Sequence, residues 1–100
     1  MKYDQAILQK NYGKIYASDT NVKWAYEKPF AKSYIKSNNF GRKRLDKAMD
    51  EILKHPERQP YLHADRDGQE KRVGSSRLYF DHSKEENLVT FTEFSHKDNQ

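Results

Sequence analysis

The apolar residues of this chain change period once, and that change limits the folds open to it. Leu45, Ala48, Met49, Ile52 and Leu53 fall at i, i+3, i+4, i+7 and i+8, with Arg42, Lys43, Asp46, Lys47, Asp50 and Glu51 on the remaining positions. That spacing makes one apolar stripe on a helix, and His55-Pro56 ends it because the residue before a proline is pushed out of the helical region. From Glu70 onward the period falls to two. Glu70–Val73, Arg77–His82 and Asn87–Ser95 read as strands, the last two joined by the polar loop Ser83-Lys84-Glu85-Glu86 of an antiparallel hairpin.

Upstream, Val22-Lys23-Trp24-Ala25-Tyr26 reads as a short strand. Pro29 suits the first turn of a helix, where its missing N–H costs nothing, and Phe30 with Tyr34 gives that helix an apolar row ending near Ser37-Asn38-Asn39. Residues 56–68 are loop-like, with Tyr61-Leu62 expected to place one apolar point in the core. The order strand, helix, helix, three strands predicts an α+β domain over residues 22–100, a small antiparallel sheet with two helices on one face. Residues 1–21 read as an N-terminal extension, with Tyr3, Ile7, Leu8, Tyr12, Ile15 and Tyr16 in a rough helical stripe broken by Gly13.

One hundred residues suit one domain with a modest core, drawn from 34% hydrophobic positions against 34% charged ones. The net charge of +4 permits an anionic partner without requiring one. Cysteine is absent and the four His show no zinc-like spacing, so neither a disulfide framework nor a metal or other cofactor is expected. No segment approaches the ~18 consecutive apolar residues of a membrane span, and no leader-like apolar run opens the chain, so the cytoplasm is the expected compartment.

Side chains alternate across a strand, so apolar residues fix where their neighbours point. With Val73, Leu78 and Phe80 toward the helices, Arg72, Arg77 and Tyr79 face away. In the last strand Leu88 and Phe94 compete with Val89 and Phe91 for the core. If Val89 and Phe91 take it, then Thr90, Thr92, Phe94 and His96 join the arginines on the open face, unless a bulge breaks the alternation.

Two guanidiniums on one face can grip a phosphate and stabilise charge gathering on it, and a His can move a proton near neutral pH. Arg72, Arg77 and His96 are therefore candidates for metal-free RNA cleavage, in which the ribose 2′-OH attacks the adjoining phosphate. The alternative for each is ordinary: solvated edge arginines and a frayed tail. Arg42-Lys43-Arg44 likewise suits either a phosphate patch or a solvated helix face.

Lys71-Arg72-Val73-Gly74-Ser75-Ser76-Arg77-Leu78-Tyr79-Phe80, followed by an acidic loop, Asn87-Leu88-Val89-Thr90-Phe91 and Ser95-His96-Lys97-Asp98, resembles the RelE/ParE superfamily of toxins from toxin–antitoxin pairs. The resemblance spans about residues 22–98. It implies a type II toxin that cuts mRNA at the ribosome and is held inactive by a cognate acidic antitoxin, as a homodimer or a toxin–antitoxin heterotetramer, with no membrane partner. It implies that Arg72 and Arg77 stabilise the scissile phosphate, and that His96 or Lys97 serves proton transfer or phosphate contact. Lys71, Tyr79, Arg42 and Lys43 complete the expected RNA contacts. Many RelE-like toxins carry a catalytic Tyr beyond the last strand; this sequence ends at Gln100, and Tyr79 is not assumed to replace it. A ParE-like, non-enzymatic gyrase inhibitor and an inactive toxin-fold protein that binds an antitoxin are the competing readings.

Overall fold

The computed structural model describes residues 3–58 and 68–96, with the side chains of Arg58 and His96 outside that description. The elements run α1 (Asp4–Leu8), β1 (Lys23–Tyr26), α2 (Lys28–Lys36), α3 (Asn39–Lys54), a 3-10 turn (Pro56–Arg58), β2 (Gln69–Val73), β3 (Ser76–Ser83) and β4 (Leu88–His96). Every strand and helix expected downstream of residue 21 is present, as an α+β domain. Tyr61 and Leu62 lie outside the described residues.

The sheet order is β1-β4-β3-β2, with β2–β3 and β3–β4 antiparallel and β1 parallel to β4. The sheet is thus mixed rather than purely antiparallel. A parallel pair cannot be closed by a tight hairpin, and here the chain leaves β1 through two helices before it reaches the far edge at β2.

Each helix has a local cause. Pro29 occupies the first turn of α2, and the Asn38 side chain caps α3 by accepting from the Gly41 N–H at 2.8 Å. The α3 stripe of Leu45, Ala48, Met49, Ile52 and Leu53 is buried with Phe30, Ala31 and Tyr34 of α2 against Leu78, Phe80, Val89 and Phe91 of the sheet. Phe30 meets Phe91 at a ring separation of 5.5 Å, which marks that side of the sheet as the helix-covered face.

The N-terminal stripe is not one helix. It stops at Leu8, Lys10 turns left-handed at φ 55°, and Tyr16 returns to make a short antiparallel bridge with Trp24 of β1. Tyr3 and Ile7 are buried in the common core, and the Tyr26 hydroxyl donates to the Ala6 carbonyl at 2.6 Å. The bridge at Tyr16 covers part of the β1 edge, which would otherwise offer unpaired backbone groups.

One bulge resets the last strand. Tyr79 pairs with Glu93 and Phe80 with Phe91, leaving Thr92 as the extra residue of β4. Phe91 and Phe94, three positions apart, therefore face the same way, and Phe94 sits opposite Leu78 in the core cluster. The expectation that Phe94 joins the open face once Val89 and Phe91 are buried is corrected by this inserted residue. Val89 and Phe91 are both fully buried, and of the competing pair Phe94 joins them in the core while Leu88 stays half-buried outside it.

Candidate functional site

The uncovered face of the sheet is ordered in rows. Arg72, Arg77 and Ser95 form one row across β2, β3 and β4; Glu70, Tyr79 and Glu93 form the next. The tight turn Gly74-Ser75 sets the first row, because it closes β2 onto β3 with Val73 paired to Ser76 and Arg72 directly opposite Arg77. Gly74 has φ 63°, a conformation that L side chains rarely adopt and that a two-residue hairpin loop starting on glycine requires.

The two arginines differ in freedom. Arg77 is half-buried and its Nη1 donates to Glu70 Oε2 at 3.3 Å, on the neighbouring row. Arg72 is exposed and makes no ion pair among the described residues. Like charges directly opposite on a sheet repel, so the pair is electrostatically unfavourable until a carboxylate or a bound anion offsets it. Glu70 offsets one of the two. What remains is a pair of opposed cations with excess positive charge, which suits an anion in sign.

No family model matches the sequence, and no curated protein matches it at the level that marks a relative. Among solved structures, the chain is similar to one in the intact E. coli RelBE toxin–antitoxin complex, with a TM-score of 0.65 and 20% identity over 73% of this chain and 93% of that one. The fold is RelE-like. At that identity the likeness speaks for architecture alone, and the side chains must be judged by where they stand.

On this RelE-like sheet Arg72, Arg77 and Tyr79 share the open face, as the alternation of β2 and β3 requires. Tyr79 is buried there, between Glu70 and Glu93 in its row. Residue 96 pairs with Ser76, so β4 does reach the end of the sheet where the arginines stand. The His96 side chain and all of Lys97 lie outside the described residues. Because Thr92 interrupts the alternation of β4, the parity that would group His96 with Arg72 and Arg77 no longer follows from Val89 and Phe91.

Three other expected contacts divide clearly. Lys71 lies on the helix-covered face and its Nζ bonds Glu51 of α3 at 2.8 Å, which holds the Glu51 carboxyl below its usual range. Arg42 is bound inside the protein: its guanidinium donates to the Tyr34 and Ile35 carbonyls at 3.2 and 2.7 Å, pairs with Asp4 at 3.5 Å and lies over the Tyr34 ring. It closes the end of α2 by satisfying carbonyls that the helix leaves open. Lys43 is exposed and points to no acid among the described residues.

Sequence reasoning overlooked Glu70 and Glu93, the acidic row beside the arginines. The signal was available: Glu70 shares the parity of Arg72, and it belongs to the open face on the same grounds. Glu93 was not legible in the same way, since its face depends on the bulge at Thr92.

Proposed function

We propose that the chain is the toxin of a type II toxin–antitoxin pair, an endoribonuclease that cuts mRNA on the ribosome and is held inactive by a cognate acidic antitoxin. The observation that carries the proposal is the opposed pair Arg72–Arg77 on the uncovered face of a RelE-like sheet. The neighbour's own structure is that of a toxin–antitoxin complex, which supports an antitoxin as partner.

In this reading the 2′ oxygen of the ribose loses its proton and bonds to phosphorus. The bond from phosphorus to the 5′ oxygen breaks, that oxygen takes a proton, and the products are a 2′,3′-cyclic phosphate and a 5′-hydroxyl. Arg72 and Arg77 stabilise the charge that builds on the non-bridging oxygens, and Glu70 positions Arg77 for that contact. His96, the last residue of β4, and Lys97, which follows it in sequence, are the candidates for proton transfer and phosphate contact, although the bulge at Thr92 puts position 96 in the register of Phe94; Lys43 and Tyr79 contribute RNA contacts. The same cations attract an acidic antitoxin, so RNA and antitoxin compete for one surface in the cytoplasm.

Expression in cells that lack the antitoxin tests the reading. Growth should arrest on induction and recover when a cognate acidic antitoxin is co-expressed. Full growth at confirmed expression would count against a toxin. Growth arrest with intact mRNA and lost DNA supercoiling would instead favour a ParE-like gyrase inhibitor.

A further inference from the structure

A second basic surface lies around the tip of the β2–β3 turn, on the helix side. Phe40, near the start of α3, is 69% exposed, which is unusual for so large an apolar ring in a chain of this size. Arg44, one turn on, has its guanidinium carbon 5.8 Å from the centre of that ring. The same guanidinium lies against Gly74, where no Cβ would fit beside it. Arg44 thus spans from helix α3 to the hairpin tip, and it is exposed with no ion pair among the described residues.

Two depressions meet at Arg44 and Val73. One, of about 370 Å³, is lined by Lys36, Phe40, Arg44, Val73, Ser76 and Phe94, among others. The other, of about 280 Å³, runs from Arg44 and Lys47 to Lys71 and Arg72. Together they form one groove lined by Lys36, Arg44, Lys47, Lys71 and Arg72, against a single carboxylate, Glu51, already engaged by Lys71. Arg72 belongs both to this groove and to the opposed pair on the open face.

We infer that the groove is a second RNA subsite, in which one base stacks on Phe40 while adjoining phosphates lie along Arg44, Lys47 and Arg72. The inference rests on the proposed reading of the open face, because the strand held at Arg72–Arg77 is the one that continues around the Gly74 tip. A flat exposed ring flanked by cations is the arrangement that holds single-stranded nucleic acid without reading its sequence. An amphipathic peptide helix would need a row of exposed apolar anchors, and beside Phe40 the groove offers Val73, half-buried, and Ala48 and Phe94, both buried.

The test uses the full chain and a fluorescent single-stranded oligonucleotide with 2′-O-methyl riboses, which cannot be cut, titrated at several salt concentrations. Phe40→Leu should weaken binding about tenfold, the loss expected when one base loses its stacking partner. Arg44→Gln should weaken it too and reduce the slope of log affinity against log salt by about 0.7, one phosphate contact. Both variants should keep the wild-type thermal midpoint, since both side chains are exposed. Wild-type affinity in both variants, with binding lost in Arg77→Gln, would overturn the groove and leave the open-face reading standing. No binding by the wild type would overturn the groove, whereas the open-face reading, which places cutting on the ribosome, falls only if ribosome-bound mRNA stays intact. Unchanged RNA affinity with loss of binding to an acidic peptide would assign the groove to a protein and overturn the inference equally.

Discussion

Arg72 and Arg77 stand directly opposite each other across β2 and β3, and one carboxylate, Glu70, lies 3.3 Å from Arg77. The opposed pair is a cost to the free fold that a bound phosphate would remove. Arg72→Thr, which relieves the repulsion and keeps a strand-forming residue, should therefore stabilise the protein by about 0.5 kcal/mol in denaturant unfolding while lowering RNA cleavage at least tenfold. A loss of stability in this variant would show that Arg72 is held by structural contacts rather than kept for a ligand.

The bulge at Thr92 makes a separate prediction about Phe94. On an unbroken strand that ring would lie on the open face, and its removal would change stability little. In the observed register it packs opposite Leu78 with 9% of its surface exposed, so Phe94→Ala should cost about 3 kcal/mol. Urea unfolding measures the difference, and a cost below about 0.5 kcal/mol would contradict the register.

Gly74 is held by two independent constraints, its φ of 63° and the guanidinium of Arg44 against its Cα. Gly74→Ala should destabilise by about 2 kcal/mol, from left-handed backbone strain plus displacement of Arg44. Combined with Arg44→Ala the cost should fall, because only the backbone term survives; strict additivity of the two substitutions would mean that they do not touch.

Three buried tyrosines tie stability to alkaline pH. Tyr34 donates to Asp46 Oδ1 at 2.8 Å, Tyr3 donates to Asp50, and Tyr26 donates to the Ala6 carbonyl. Burial, reinforced for Tyr3 and Tyr34 by those carboxylates, keeps all three hydroxyls protonated beyond the ordinary range, with Tyr26 pushed up to about 12 and the other two higher. The unfolded chain releases these protons near pH 10, so the folded state binds more protons above that point. Their contribution to stability is full below pH ~10 and is lost as pH rises beyond it. Denaturant midpoints measured from pH 8 to 11.5 should hold and then fall, and Tyr26→Phe should shallow the fall. A flat profile to pH 11 would contradict this burial.

The elements were legible because each carries its own period: the α3 stripe fixes a helix from Leu45 to Leu53, and Val73, Leu78 and Phe80 fix which way Arg72 and Arg77 point. The departures come from interactions that alternation does not encode. Lys10 breaks the N-terminal stripe by turning left-handed, and Thr92 adds a residue to β4 that changes the face of every residue after it. Arg42 was grouped with its neighbours by charge, yet its side chain folds back onto carbonyls of α2, a partner set that linear sequence does not display. Phe40 and Arg44 gain meaning only when the hairpin tip is seen against α3.

The central claim is that Arg72 and Arg77 together cut RNA. Its most direct test is primer extension on mRNA bound to translating ribosomes, with the wild type, Arg72→Ala and Arg77→Ala at matched thermal midpoints. The account predicts cuts by the wild type that leave a 5′-hydroxyl and a 2′,3′-cyclic phosphate, and their loss in both variants. Intact mRNA with the wild-type protein demonstrably bound to ribosomes, or undiminished cutting by Arg77→Ala, would contradict it.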